Sequence, residues 1–131
     1  MKSNGEIVKG LYEAFGRGDV AAVLGAFDDG IEWLEAEGFR FADHNPYRGP
    51  GAVAEGVFQR IVGSVDNFAV DVTNIVDGGD TVVAEGRYRG TVGATGKPVD
   101  AQFAHVWRFR DDKVVGFQQY TDTKQWAEAF A

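Results

Sequence analysis

The stretch from residue 99 to residue 109 reads VDAQFAHVWRF, and its apolar and polar side chains alternate. Phe103, Trp107 and Phe109 fall on one face, and His105 shares that face. A period of two over this length is typical of a β-strand with one buried face. The stretch decides the fold because it predicts a long strand that carries one ionisable ring among aromatic side chains.

The same alternation extends along the chain on both sides of this strand. It begins at Phe68, resumes over residues 81–91 after a glycine-rich hairpin turn, and returns after a turn at residues 110–112. With Asp112 in the bulge position of a three-residue loop, three later residues would share the face of His105: Val115, Phe117 and Gln119. These strands predict an antiparallel meander.

The part before the meander is predicted to be helical. Ser3 and Glu6 have the spacing of a capping box, and apolar residues then recur at helical intervals up to a stop at residues 16–18. Asp19 is predicted to cap a second helix whose apolar stripe ends at Phe27.

A turn is predicted at residues 28–30 and a short strand at residues 31–34. Residues 35–49 show no period, which is typical of a lid or binding segment. Pro50 is predicted to open a third helix that ends at Gly63, and a short helix is predicted over residues 123–130. Helices on one face of an antiparallel sheet make this an α+β arrangement, in one domain over residues 1–131.

Composition narrows the classes of function. The chain has 131 residues, a net charge of −7 and no cysteine. The charge argues against nucleic acid and anionic membranes as partners, and the missing cysteine excludes disulfides, thiolate metal sites and a cysteine nucleophile. No apolar run is long enough to span a bilayer, and the polar start of the sequence has no signal core, so we expect a cytoplasmic protein. The 10 Phe, 4 Tyr and 3 Trp indicate either a dense core or the wall of a cavity.

The order and spacing of short motifs resemble those of the NTF2-like superfamily, and more narrowly of its SnoaL-like and ketosteroid-isomerase-related members. The motifs cover nearly the whole chain: Tyr12-Glu13-Ala14-Phe15 with Gly18-Asp19, Phe27-Asp28-Asp29-Gly30-Ile31-Glu32-Trp33, Tyr47-Arg48-Gly49, residues 77–83, His105-Val106-Trp107-Arg108-Phe109 and Tyr120-Thr121-Asp122-Thr123. The resemblance implies a cone-shaped curved sheet packed on three N-terminal helices, an apolar pocket between them, and commonly a homodimer.

The resemblance also implies chemistries that need neither a metal nor an organic cofactor. These are steroid double-bond isomerisation, polyketide aldol cyclisation, dehydration and epoxide opening. Because one fold supports many activities, the function depends on the individual residues of the site.

His105 is the predicted catalytic residue. Burial among aromatic rings disfavours the imidazolium, and a neutral imidazole donates one hydrogen bond and accepts another. The resemblance places it where the isomerases carry an oxyanion-donating acid and where cyclases carry a histidine, so that it would stabilise an enolate oxygen. The isomerase tyrosine of the first helix corresponds to Leu11, with Tyr12 adjacent. The alternative is a core histidine held by one backbone partner.

No residue is assigned as the base by the resemblance. The isomerase base position corresponds to Leu34 and the cyclase base position to Gln119, and neither side chain takes a proton at neutral pH. Glu32 and Glu35 lie beside Leu34, and their facing is left open. Asp122 is a further candidate base, although its place at the start of a helix favours a cap.

Other polar residues have a structural explanation. His44 lies in the irregular segment among Asp43, Glu35 and Glu37, but the spacing matches no metal-ligand pattern, so a solvated loop histidine is expected. Arg87 and Arg89 would hold a ligand carboxylate if they faced inward. Facing outward, they would pair with Glu85 or Asp71.

The leading prediction is a pocket for a small hydrophobic or polycyclic ligand, with cofactor-free isomerase or cyclase chemistry at His105. The predicted wall of this pocket consists of Tyr12, Trp33, Tyr47, Phe58, Phe103, Trp107, Phe117 and Gln119. The missing base motivates an alternative, a non-catalytic ligand-binding or dimeric assembly module. A third interpretation places the working surface on the outer face of the sheet.

Overall fold

The computed structural model describes residues 2–131 and begins with two capped helices. Helix α1 (Asn4–Gly16) has the predicted capping box, in which the Ser3 hydroxyl accepts from the Glu6 backbone N–H at 3.2 Å and the Glu6 carboxylate accepts from the Ser3 N–H at 3.3 Å. Helix α2 (Val20–Gly25) follows, and Asp19 caps it by accepting from the N–H of Ala22 at 3.1 Å. Local sequence therefore predicted both helix starts.

The first strand begins earlier than the sequence predicted. β1 (Phe27–Leu34) includes Phe27, which was predicted on a helix, and residues 28–30, which were predicted as a turn. The Gly30 N–H donates to the Asp28 carboxylate at 2.8 Å, so the turn-forming residues make an irregularity inside the strand. The physical reason is pairing with a strand far along the chain. Phe27 pairs with Val114 of the last strand, and this strand pairing outweighs the local preference of residues 28–30 for a turn.

The segment between β1 and the third helix has little regular structure, as predicted. It contains a 3₁₀ turn (Arg40–Ala42) and the short strand β2 (Tyr47–Arg48). The third helix starts at Pro50, as expected, but it is divided into α3 (Pro50–Val53), a π-helical turn (Ala54–Phe58) and α4 (Gln59–Ser64). A π-helical turn inside a helix is frequent at functional sites.

The sheet has six strands in the order β2-β1-β6-β5-β4-β3. The long strands β3 (Val65–Asp77), β4 (Thr81–Val92), β5 (Pro98–Arg110) and β6 (Lys113–Thr121) form the predicted antiparallel meander. β1 joins it by pairing parallel to β6. The sheet is therefore mixed, curved and unclosed.

The turn between β5 and β6 differs from the predicted three-residue loop. Arg110 pairs directly with Lys113, and Asp111 and Asp112 between them have φ of 51° and 61°. The irregularity lies at Val115 instead, because Phe109 pairs with Val114 while Arg108 pairs with Gly116. Val114 is consequently buried and Val115 only partly so, although Phe117 and Gln119 share the face of His105 as predicted.

The helices cover the inner face of this sheet. α1 packs against β3 and β4, and the C-terminal helix α5 (Thr123–Phe130) packs against β5. One cluster of buried side chains lies under α1 and the third helix, and a second lies under α5 and the irregular segment. This is the predicted α+β architecture. None of the helices within residues 2–131 combines the length and the apolar composition needed to cross a membrane.

Candidate functional site

A cavity lies between the helices and the inner face of the sheet, where the two core clusters meet. Its volume is about 70 Å³ and its walls are almost entirely apolar. Most of the predicted pocket residues line it: Tyr12, Trp33, Phe58, Trp107, Phe117 and Gln119. Aromatic packing builds the wall, since Trp33 stacks on Phe117 with ring centroids 3.6 Å apart.

Two predicted pocket residues lie behind or beside the cavity wall. Phe103 stacks on the imidazole of His105, with centroids 4.0 Å apart, and supports that ring without lining the cavity. The Tyr47 hydroxyl donates to the carbonyl of Phe41 at 2.6 Å. Tyr47 belongs to a peripheral polar cluster, in which Arg60 binds Asp43 through two nitrogens at 2.6 and 3.0 Å.

The candidate base Asp122 also lies away from the cavity. It is exposed, and its carboxylate accepts from the N–H of Gln125 at 3.1 Å as the N-cap of α5. This helix cap is the role that the sequence favoured over a catalytic one.

His105 is buried at 5% exposure in the centre of a row of hydrogen bonds. The Tyr12 hydroxyl lies 2.6 Å from Nδ1, and the Tyr88 hydroxyl is hydrogen-bonded to Nε2. Both ring nitrogens are therefore occupied by tyrosines. A molecule in the cavity would have to compete with a tyrosine hydroxyl for either imidazole nitrogen.

Each tyrosine of this row also receives a hydrogen bond from a second side chain. The indole Nε1 of Trp107 donates to the Tyr12 oxygen at 2.9 Å, and the amide nitrogen of Gln119 donates to the Tyr88 oxygen at 2.9 Å. These donors hold the two hydroxyls in place. Gln119, which the resemblance aligned with the cyclase base position, thus acts as a hydrogen-bond donor here.

The whole row is electrically neutral. Burial lowers the pKa of His105 to about 3, because desolvation penalises the imidazolium. Burial likewise raises the pKa of the Tyr12 and Tyr88 hydroxyls far above their usual value, so both remain protonated. The cavity therefore offers uncharged donors and acceptors near neutral pH.

Glu35 is a functional candidate whose facing the sequence left open. It follows β1 directly, is only 3% exposed and lines the cavity. The indole Nε1 of Trp33 donates to its carboxyl oxygen at 3.2 Å, and burial raises its pKa to about 8 against the smaller opposing effects of Trp33 and Arg60. A carboxyl group with such a pKa exchanges protons readily near neutral pH.

The backbone of Glu35 is held in place by one side chain. The amide of Asn45 accepts from the Glu35 N–H at 3.0 Å and donates to the Glu35 carbonyl at 2.8 Å. The irregular segment thus folds back to fix the residue that projects into the cavity.

Strand parity could have found both Glu35 and Tyr88. Ile31 and Trp33 are buried and Leu34 is not, so the alternation continues inward at Glu35. Tyr88 shares a parity with the buried Ala84 on β4, and Ala84 pairs with His105. Tyr88 lies between Arg87 and Arg89, whose side chains have the opposite parity on β4.

Those arginines face outward. Arg87 binds the Asp100 carboxylate at 2.7 Å, and Arg89 binds the Asp71 carboxylate at 2.9 Å. Asp71 was one of the two partners expected for outward-facing arginines. His44 is exposed and lies 3.6 Å from the Asp43 carboxylate. Within residues 2–131 no cluster of His, Asp and Glu has the make-up of a metal site.

Part of the cavity wall consists of aromatic residues that are only partly buried. Phe15, Phe58 and Phe68 are of this kind, and their rings meet edge to face, with centroids 5.4 and 6.3 Å from that of Phe15. A cavity of about 150 Å³ admits benzene. A molecule of ring size or larger therefore needs the cavity to widen.

Comparison with solved structures supports the architecture. An NTF2-like protein from Burkholderia thailandensis is 37% identical over 100% of this chain and 99% of its own, with a TM-score of 0.95. The fold is also shared, at 21% identity, with TerC co-crystallised with polyporic acid (96% of each chain, TM-score 0.84). A protein with a ketosteroid isomerase-like fold from Catenulispora acidiphila, in complex with trimethylamine, is 20% identical over 95% of this chain and 91% of its own, with a TM-score of 0.79.

Sequence comparison gives the family. No curated protein sequence matches the chain significantly. The sequence profile of the SnoaL-like domain matches residues 8–117, which include most of the first helix, the third helix and every strand up to the middle of β6. The chain therefore belongs to the SnoaL-like domain family.

Proposed function

We propose that the protein binds a small, largely apolar molecule in this cavity and acts on it by cofactor-free acid–base chemistry of the isomerase or cyclase type. The observation that carries this proposal is the buried carboxyl group of Glu35 in the same cavity as the neutral Tyr12–His105–Tyr88 row. Small ligands in two proteins that share the fold support the binding part of the proposal.

In this proposal Glu35 is the base that takes a proton from a carbon next to a carbonyl group. A base is most effective when its pKa lies near the working pH, and burial places that of Glu35 at about 8. The hydroxyls beside His105 are the donors available to the oxygen on which negative charge develops. Glu35 thus supplies the proton-accepting carboxylate that is missing at Leu34 and Gln119.

A double-bond shift in a small ketone tests the catalytic part. We expect the protein to convert 3-cyclohexen-1-one into the conjugated 2-cyclohexen-1-one, followed by ultraviolet absorbance. The rate should rise with pH up to about pH 8 and then level off, because Glu35 must be ionised to act as a base. Glu35→Gln should lower it by roughly 10²–10⁴-fold.

The matched control is Glu37→Gln, since Glu37 is exposed and lies only two positions along the chain. It should leave the rate unchanged. Undiminished turnover in Glu35→Gln, or an equal loss in both variants, would show that Glu35 is not the base.

A non-catalytic binding protein is the second candidate. It is favoured by the pKa of about 8, which leaves most of the Glu35 carboxyl protonated at pH 7. In that case cyclohexanone should bind without any turnover of 3-cyclohexen-1-one, and binding should survive Glu35→Gln because the amide also lacks a charge. Nuclear magnetic resonance titration distinguishes the two candidates.

A further inference from the structure

Two segments of the cavity wall lie outside the main strand ladder. On the sheet side, the wall is fixed by the pairing of β4, β5 and β6. Part of the opposite side belongs to the irregular segment that follows β1 and to the third helix, residues 50–64. Their cavity residues are Glu35, Phe39, Val57, Phe58 and Ile61. The cavity therefore widens when the irregular segment and the third helix move apart.

Arg60 joins these two segments. Its guanidinium binds the Asp43 carboxylate through two nitrogens, at 2.6 and 3.0 Å, and donates to the Tyr47 hydroxyl at 2.8 Å. Its carbon Cζ lies 4.5 Å from the centre of the Phe41 ring, within the range of a cation–π contact. Among the described residues, every side-chain hydrogen bond between residues 35–48 and the third helix comes from Arg60.

The same side chain reaches the π-helical turn of the third helix. Nε of Arg60 donates to the Gly56 carbonyl at 2.6 Å. The ring of Tyr47 packs so closely against Gly56 that there is no room for a Cβ atom at this position. Tyr47 is itself held by the hydrogen bond from its hydroxyl to the Phe41 carbonyl. The helix and the irregular segment are thus in direct contact where Arg60 holds them together.

The ion pair of Arg60 and Asp43 lies at the surface. The two side chains are 31% and 46% exposed, so the pair can open into water without leaving a buried charge. Its two-nitrogen geometry is the stronger kind of ion pair, although exposed pairs as a class contribute little free energy. The positive charge of Arg60 also lowers the pKa of Glu35 against the larger effect of burial, so the pair lies close to the cavity.

We propose that the ion pair of Arg60 and Asp43 is a clamp that sets the size of the molecule that the cavity admits. With the clamp closed, the cavity keeps its volume of about 70 Å³. With the clamp open, the third helix and the irregular segment separate and a ring-sized molecule enters. Both residues act through the wall residues beside them and are positioning residues. The size selection rests on the proposed binding of a small apolar molecule, whereas the clamp itself does not.

Tryptophan fluorescence tests the clamp without any ligand. All three tryptophans of the chain, Trp33, Trp107 and Trp126, line the cavity and are at most 4% exposed. Acrylamide, an uncharged quencher, therefore reports on access to the cavity. Asp43→Ala should raise the quenching rate constant by about fivefold, the change in an equilibrium that an exposed ion pair produces. About 1 M sodium chloride should raise quenching of the unmodified protein and leave that of Asp43→Ala unchanged.

The matched control is Glu32→Ala. Glu32 is also 46% exposed and binds Arg48 at 2.8 Å, but this ion pair joins β1 to β2 and does not reach the third helix. Quenching should stay unchanged in this variant, and urea unfolding confirms that both variants are folded under the conditions used. Equal quenching in the two variants would overturn the clamp. Salt-independent quenching of the unmodified protein would do the same, and this measurement needs no substitution.

Two ketones of different size test the selection: cyclohexanone, with one ring, and 2-decalone, with two fused rings. Titrations followed by nuclear magnetic resonance give both affinities. Asp43→Ala should shift their ratio about fivefold towards 2-decalone, whereas Glu32→Ala should keep the ratio of the unmodified protein. A merely structural defect weakens both ketones alike, so an unchanged ratio in Asp43→Ala would overturn the size selection. If neither ketone binds, the proposed function fails, and the fluorescence result still decides the clamp.

Discussion

At the scale of single residues, the site depends on groups whose charge is suppressed by burial. Glu35 and His105 belong to opposite charge types, and each is held in its neutral form. Desolvation is the first cause in both cases, so the pKa of the acid rises and that of the base falls. The cavity is thus polar in its hydrogen bonds and nearly uncharged, which suits an apolar ligand with one polar atom.

These shifts predict how stability varies with pH. The folded-state pKa of Glu35, about 8, lies above the unfolded value of about 4.3, so the folded state holds the extra proton and loses stability as pH rises between these values. His105 has the opposite sign, because its folded pKa of about 3 lies below 6.5, and stability rises with pH between them. The two effects oppose each other from about pH 4.3 to 6.5 and leave a net loss from pH 6.5 to 8.

Urea unfolding at pH 6.5 and pH 8 measures this loss. We expect the free energy of unfolding to fall by up to about 2 kcal/mol between the two pH values. Glu35→Gln should abolish the decline, because the amide does not ionise, while Glu37→Gln should keep it. A decline of the same size in Glu35→Gln would contradict the buried carboxyl as its source.

At the scale of elements, a helix cap, a π-helical turn and one loop side chain hold the backbone around the site. Asp122 lies between β6 and α5. Its carboxylate accepts a hydrogen bond from the N–H of Gln125 and so caps the helix. The π-helical turn Ala54–Phe58 ends on a residue of the cavity wall. Asn45 ties the irregular segment to Glu35. Each of these elements supports the site without contributing a reacting group.

Replacing the cap of α5 separates a structural from a catalytic role. Asp122→Ala should lower the free energy of unfolding by about 1 kcal/mol, because the helix loses its side-chain cap. Asp122→Asn should restore most of this, since asparagine also caps helices. Urea unfolding gives the stability. Isomerisation of 3-cyclohexen-1-one should be unaffected in both variants, and a loss of turnover in Asp122→Asn would indicate a role in catalysis.

At the scale of the whole molecule, the outer face of the sheet is the surface left free by the helices. Tyr120 on β6 is 56% exposed, and it pairs with Ala104 on the neighbouring strand β5. The homodimer implied by the family resemblance stays a prediction, as does the outer face as its interface. The net charge of −7 opposes association of two copies.

Sedimentation velocity tests this prediction. We expect a dimer whose population increases with salt, because screening weakens the repulsion between two acidic copies. Tyr120→Lys should shift the protein towards monomer, whereas the same change at Val62, exposed on α4, should not. A monomer at all protein and salt concentrations would remove the outer face as a self-association surface.

Much of the fold could be predicted from local patterns. The capping residues, the glycine turns and the two-residue alternation located α1, α2, α5, the start of the third helix and the strands of the meander, since these signals act over a few residues. Two errors concern strand pairing: the strand at Phe27 follows its pairing with Val114 of β6, far along the chain, and the irregularity at Val115 lies in the register of β6 against β5. The local preferences of the residues do not specify which residues of two strands pair.

The sequence by itself determined the α+β class, the family resemblance, the inward face of β5 and the position of His105 among aromatic rings, because periodicity and order are local properties of the chain. Only the tertiary structure brought Glu35, Tyr88 and Trp126 to the same cavity as His105. It also decided that both nitrogens of His105 are occupied by tyrosines. The physical reason is that burial and hydrogen-bond partners, which suppress the charges, depend on side chains from α1, β4, β5, α5 and the segment after β1 meeting in one enclosed space.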